Sequence, residues 1–211
     1  FDRGFLLGDG IFETMRAYNG RVFQLNAHLN RLSHSAEVME IPLSSLGDLE
    51  RAVHETLKAN HLADAAVRLT VTRGEGPLGI MPPENPKPTV LVIAEPLKPW
   101  AESAYEKGVA VSLAPDRHPA LTRATQIKTT SFAANVLGTL HRRREKTEEV
   151  IFLNERGTVS EGAVSNIFIV SGGYVMTPFE NDGLLPGVTR DSVLRLCESL
   201  FIPLARKSIA A

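Results

Sequence analysis

The 211-residue chain holds one cysteine, Cys197, so it cannot form an internal disulfide, and this usage fits a reducing compartment such as the cytoplasm. Cys197 sits in the helical pattern Val193-Leu194-Arg195-Leu196-Cys197, where a small buried side chain is its ordinary use. Charge of one sign is also lacking: 23 Lys and Arg face 24 Asp and Glu, a formal net charge of -1. That balance gives no electrostatic case for a nucleic-acid partner or an anionic membrane surface. No apolar run approaches the length of a membrane span, and the N-terminal residues show no signal-peptide pattern. No repeat, low-complexity tract or metal-ligand spacing stands out. What remains is an ordinary globular composition, 43% hydrophobic and 22% charged, long enough to bury a sizeable core.

Short strand-like and helical patterns alternate along the first half. Arg21-Val22-Phe23 follows the turn pair Asn19-Gly20 and reads as a strand after a hairpin turn. Asn26 is expected to cap a helix carrying Leu29, Leu32, Ala36 and Met39, and a second helix spans about Ser45 to Asn60. Val67–Thr72 and Thr89–Ile93 read as strands around a Gly/Pro-rich, mobile-looking loop at 74–83. Pro96 to Glu102 is the expected linker between a small domain, 1–97, and a larger one, 98–211. In the second, strands are expected at 109–113, 149–153, 165–170 and 174–176, with helices at about 132–146 and 187–200. Helices and strands mix without a clean βαβ repeat, so the expected class is α+β with two domains.

Four local features could carry chemistry. Lys128 lies in Gln126-Ile127-Lys128-Thr129-Thr130-Ser131, with an apolar residue before it and a helix soon after. A lone lysine is usually a solvated surface charge, but its amine is also the group that condenses with aldehydes. Glu161-Gly162-Ala163-Val164-Ser165-Asn166-Ile167-Phe168 reads either as a plain turn into a strand or as a carboxylate aimed at a cationic nitrogen. Leu185-Pro186-Gly187-Val188-Thr189-Arg190 opens a helix, a common structural device whose unpaired N–H groups also suit a phosphate. Arg31, in His28-Leu29-Asn30-Arg31-Leu32, is either a half-exposed ion-pair former or an inward phosphate clamp.

Together these segments resemble one known family. Glu161-x-Ala163-x-x-Asn166-Ile167-Phe168, then Val175-x-Thr177, then Leu185-x-Gly187-Val188-x-Arg190 resembles the signature of class IV aminotransferases. Gly8-Asp9-Gly10-Ile11-Phe12-Glu13-Thr14-Met15-Arg16 and His28-x-x-Arg31-Leu32 are similar to the family's N-terminal motifs, and Lys128-Thr129-Thr130-Ser131-Phe132 to its cofactor-lysine segment. The order is kept over essentially the whole chain.

The resemblance implies a fold-type IV pyridoxal-phosphate enzyme of two α+β domains, usually a homodimer. It implies that Lys128 carries the cofactor as a Schiff base and moves the substrate proton, and that Glu161 pairs with the pyridine nitrogen. Arg31 with Val188 and Thr189 would bind the phosphate, and Asn166 would help to hold Glu161 or the ring environment. The family pattern further implies a strand before Phe1 and a segment beyond Ala211, so the chain is expected to be truncated at both ends. Substrate signals are mixed. Arg68 matches an arginine of branched-chain aminotransferases, whereas Thr14 matches a threonine of aminodeoxychorismate lyases. Transfer of an amino group from an aliphatic amino acid to a 2-oxo acid is the first expectation; the lyase reaction is the second, and a non-catalytic cofactor-binding protein the third.

Overall fold

The computed structural model describes residues 1–211, which divide into two compact units. The first comprises Phe1–Trp100 with Ile127–Ser131, and the second Ala101–Gln126 with Phe132–Ala211.

The first unit begins with a short helix, α1 (Arg3–Leu7), and a long strand, β1 (Gly10–Tyr18). A turn leads to β2 (Arg21–Val22), then α2 (Leu25–Met39), α3 (Leu46–Ala59), β3 (Ala65–Thr72) and β4 (Thr89–Pro96). The strands form an antiparallel sheet in the order β2-β1-β3-β4. Period-two alternation sends Ile11, Met15 and Ala17 to one face with Val67, Leu69 and Val71. Helical spacing brings Leu25, Leu29, Leu32 and Ala36 of α2, and Leu49, Val53 and Leu57 of α3, onto that face. Both ends of α3 fall where its polar residues predict: Ser45 accepts the Asp48 N–H at the start, and Asn60 is the C-cap.

The expectation for α2 is corrected. Its N-cap is Gln24 in the left-handed region with no side-chain hydrogen bond, so Asn26 lies inside the helix. The loop at 74–83, mobile-looking in sequence, is tied through its carbonyls to one buried side chain. Arg3 is 2% exposed, and its guanidinium donates to the carbonyls of Pro77, Gly79, Ile80 and Met81. Asp9 accepts from both Arg3 and Arg73, each at 2.8 Å, and Arg73 also donates to the carbonyls of Met39 and Glu40 at the end of α2. Burial pushes the Asp9 carboxyl up, but the two arginines prevail and hold it below the ordinary aspartate value. The loop is thus organised around one buried ion cluster. Gly74 must be glycine there: its φ is +86°, and a Cβ would sit 1.8 Å from the Lys87 carbonyl.

The second unit carries α4 (Glu102–Lys107), β5 (Val111–His118), α5 (Ala133–Glu145), β6 (Glu149–Asn154) and β7 (Val159–Gly162). After these come β8 (Ile169–Ser171), β9 (Tyr174–Thr177), α6 (Val188–Ser199) and β10 (Leu204–Arg206). Two three-stranded sheets result, β5-β6-β7 and β10-β9-β8. Ala114, Val150, Phe152 and Ala163 form a small core, with His118 stacked on Phe152 at 3.8 Å. The strand expected at 165–170 begins only at Ile169, and Asn166, ahead of it, holds neighbouring groups with its side-chain amide. No helix is long and apolar enough to cross a membrane.

Candidate active site

The sequence expectation puts Lys128 in the larger domain, but its segment belongs to the first unit. The cause is an unfilled edge. β2 pairs with β1 only at Ala17 and Tyr18, which leaves the Gly10–Phe12 edge open. Residues 128–130 fill it: the Phe12 N–H donates to the Lys128 carbonyl at 3.0 Å, and the Thr130 N–H to the Gly10 carbonyl at 2.9 Å. The Lys128 N–H donates to Ser35 Oγ of α2 at 3.2 Å. Both backbone groups of Lys128 are therefore engaged, which fixes where its side chain starts. Its Nζ lies 4.6 Å from the centroid of the buried Phe12 ring.

Arg68 shares that ring, with its Cζ 3.7 Å from the same centroid. Thr14 is the register partner of Arg68 across β1 and β3, so both belong to the sheet face of Phe12. Arg68 donates from Nε to Thr70 at 3.3 Å but forms no salt bridge with any carboxylate of the chain. Burial without such a partner pushes its pKa below the ordinary arginine value. A half-buried guanidinium in that state favours an incoming anion.

Arg31 is placed differently. It faces Glu13 in a fork, donating from Nε to Oε1 at 2.7 Å and from Nη2 to Oε2 at 2.6 Å. His28, one helical turn earlier, brings Nδ1 to 2.7 Å from Oε2 of the same carboxylate. Glu13 is 0% exposed and projects from β1 into the core face between Ile11 and Met15. Burial pushes its carboxyl up, yet the bonds from Arg31 and His28 prevail and hold it below the usual glutamate value. The fork edge of Arg31 thus takes the ion-pair role that the sequence left open, with a buried partner, Glu13, that the sequence reading did not name. The signal was present in the motif: Glu13 lies among apolar residues, and His28 and Arg31 are spaced to share one helix face.

The second unit positions its own candidates. Glu161, on β7, accepts through Oε2 from the Leu185 N–H at 3.0 Å and from Asn166 Nδ2 at 3.4 Å. Asn166 also donates to the Leu185 carbonyl at 3.1 Å, so one amide ties the carboxylate to the segment that leads into α6. Its Oδ1 occupies the place where a Cβ on Gly187 would lie, 1.8 Å away, and only glycine fits there. Gly187 is the N-cap of α6 and offers no side chain to the helix start, so the first-turn N–H groups at Val188 and Thr189 are not capped by it. Val188 is buried and Thr189 exposed. Arg190 is 4% exposed and anchors this turn, donating to Thr177 Oγ1, the Pro178 carbonyl and Glu180. No group of His, Cys, Asp and Glu is arranged to hold a metal ion.

The chain is similar to known proteins. The family model for amino-transferase class IV matches residues 10–211. A Methanocaldococcus jannaschii protein named "Putative branched-chain-amino-acid aminotransferase" is 39% identical over 200 residues, 94% of this chain and 68% of that protein. The aminodeoxychorismate lyase of Bacillus subtilis is 31% identical over 207 residues, 97% of this chain and 70% of the other. Among solved structures, the branched-chain amino acid aminotransferase of Escherichia coli superposes with a TM-score of 0.93 at 28% identity, covering 99% of this chain and 71% of that one. With the family model spanning nearly every residue and the fold agreeing, the chain belongs to the class IV aminotransferases.

Proposed function

We propose that the chain transfers an amino group from a branched-chain or similar aliphatic amino acid to a 2-oxo acid, with pyridoxal 5'-phosphate held through Lys128. The observation that carries this reading is the pairing of a backbone-locked lysine with an arginine lacking any carboxylate partner, both on one aromatic ring. An amino-acid substrate presents an amine and a carboxylate a few bonds apart, which is what such a pair recognises.

The residues present fit the cofactor. An amine stands at Lys128, a carboxylate fixed by an N–H and an amide stands at Glu161, and α6 begins with no side-chain cap at a glycine. When bound, pyridoxal phosphate supplies the electron sink that makes the substrate Cα–H acidic. Lys128 Nζ would hold the cofactor and then carry the proton between the substrate Cα and cofactor C4′. Glu161 would keep a proton on the ring nitrogen, with Asn166 holding its carboxylate. Val188 and Thr189 would bind the phosphate through their N–H groups and the Thr189 hydroxyl. Arg31, which holds Glu13 through Nε and Nη2, would join them. Arg68 would orient the substrate carboxylate. On this reading the protein works in the cytoplasm, and its working form is the homodimer that the resemblance implies.

A second reading, aminodeoxychorismate lyase, is favoured by Thr14, which is exposed and paired in register with Arg68. The half-reaction separates the two. Mixing the loaded enzyme with an aliphatic amino acid alone should release one equivalent of 2-oxo acid and leave the cofactor as its amine. If no amino acid of either hand does so, while aminodeoxychorismate yields pyruvate and 4-aminobenzoate, the lyase reading replaces the first.

A further inference from the structure

We infer that Ser35 is a positioning residue for the cofactor lysine, an inference that rests on the assignment of Lys128 above. Ser35 lies on the buried stripe of α2, is 0% exposed, and is one helical turn beyond Arg31. Its hydroxyl makes two contacts with fixed polarity. It donates to the Arg31 carbonyl at 3.0 Å, and it accepts the Lys128 N–H at 3.2 Å. The amide of Lys128 can only donate and the carbonyl of Arg31 can only accept, so the hydroxyl hydrogen has one orientation that serves both. A serine inside a helix ordinarily turns its hydroxyl back on the preceding turn for no gain. Here the back-bond aims the oxygen lone pair at a residue 93 positions away in sequence.

The consequence concerns where the Lys128 side chain begins. The Phe12 N–H holds the carbonyl side of Lys128, and Ser35 holds its amide side. Without the hydroxyl, the amide side of Lys128 would lose this hold while its carbonyl side stayed on the β1 edge, which leaves the start of its side chain freer to move. A lysine that must reach both a cofactor carbon and a substrate proton tolerates little such motion. The same hydroxyl joins the backbones of Arg31 and Lys128, so α2 carries both with a fixed spacing.

The test compares the holoenzyme with Ser35→Ala, Ser35→Thr and Ser45→Ala. Ser45→Ala removes the exposed cap of α3 and serves as a control of similar stability cost remote from Lys128. Amide hydrogen exchange at Lys128 is the first readout, and the pH midpoint of the bound cofactor's visible absorption is the second. Ser35→Ala should speed exchange at Lys128 by about tenfold, the loss of one hydrogen bond, and displace the absorption midpoint. Ser45→Ala should change neither, and Ser35→Thr, which keeps the hydroxyl, should restore both. Unchanged exchange and an unchanged midpoint in Ser35→Ala, with the cofactor still reducible onto Lys128, overturn the role of Ser35. Failure to trap any cofactor on Lys128 in the unmodified enzyme instead overturns the functional assignment on which it rests.

Discussion

The two faces of the first unit's sheet treat charge in opposite ways. On the core face Glu13 is fully buried, and Arg31 and His28 answer it with three short contacts. On the other face Arg68 is half-buried and has no carboxylate partner within the chain, while Lys128 stands over the same Phe12 ring. Adjacent residues of a single strand, Phe12, Glu13 and Thr14, contribute to both sides. A buried ion cluster that is satisfied internally fixes geometry and offers little to a ligand. A cation face left without an internal anion is where an anionic substrate gains most. Within the nine residues of β1, one face serves the scaffold and the other carries the proposed site.

Removing Lys128 should break the proposed functional face most completely. Lys128→Ala should lower turnover by about 10²- to 10⁴-fold or more, the scale of a lost proton-transfer group, with little change in melting temperature. Steady-state kinetics and a thermal melt on one preparation check both halves. A variant that melts early and keeps its turnover would place Lys128 with the scaffold.

Arg31→Ala breaks the core face. It leaves Glu13 buried without its fork, at a cost of about 3–5 kcal/mol measured by denaturant unfolding of the apoprotein. Replacing the pair together, as Glu13→Leu with Arg31→Met, should recover most of that loss, because apolar side chains of similar volume replace a buried ion pair at little net cost. If Arg31 also binds the phosphate, cofactor affinity stays weak in the stable double variant. Recovery of both stability and affinity would assign Arg31 to the scaffold alone.

Arg68→Ala tests the anion-seeking face. A hydrogen-bonded charge is worth about 1.5–3 kcal/mol, so kcat/KM for the amino acid should fall roughly 10- to 150-fold. The fall should be smaller for an amine that lacks the carboxylate. Equal losses for both substrates would mean that Arg68 only packs against Phe12.

The smallest effect is on acid stability. The Glu13 carboxyl titrates below its ordinary value of 4.5, so its contribution is present above that pH and is lost as pH falls through the lower folded value. Asp9 acts in the same direction, so the difference between wild type and Glu13→Gln isolates Glu13. That difference should be constant at neutral pH and shrink as the medium is acidified below 4.5. A difference that persists unchanged at low pH would mean that shape, not charge, is what Glu13 contributes.

Much of this was legible in the chain because it is local. Ser45 and Asn60 mark the ends of α3, and the spacing of Leu29, Leu32 and Ala36 marks the buried stripe of α2. Motif order alone placed Lys128, Glu161 and the Gly187 helix start among the candidates. What escaped is set by partners distant in sequence. β1 carries Glu13 at an inward position, where a simple alternation expects an apolar residue, and its answer comes from His28 and Arg31 on another element. Arg3 has no local signal, yet it orders a loop more than seventy residues away, and Ser35 looks like any small helix residue. The segment 127–131 joins the first unit because an unpaired strand edge accepts it, a fact of topology that no local pattern carries.

The proposed functional face is built around Lys128 as the cofactor lysine. Borohydride reduction of the loaded enzyme, followed by peptide mapping, tests that assignment most directly. The pyridoxyl group is expected on Lys128, in the peptide that contains Ile127 and Thr129. Its recovery on Lys107 or Lys146 instead, with Lys128 unmodified, would contradict the assignment and the contrast between the two faces drawn from it.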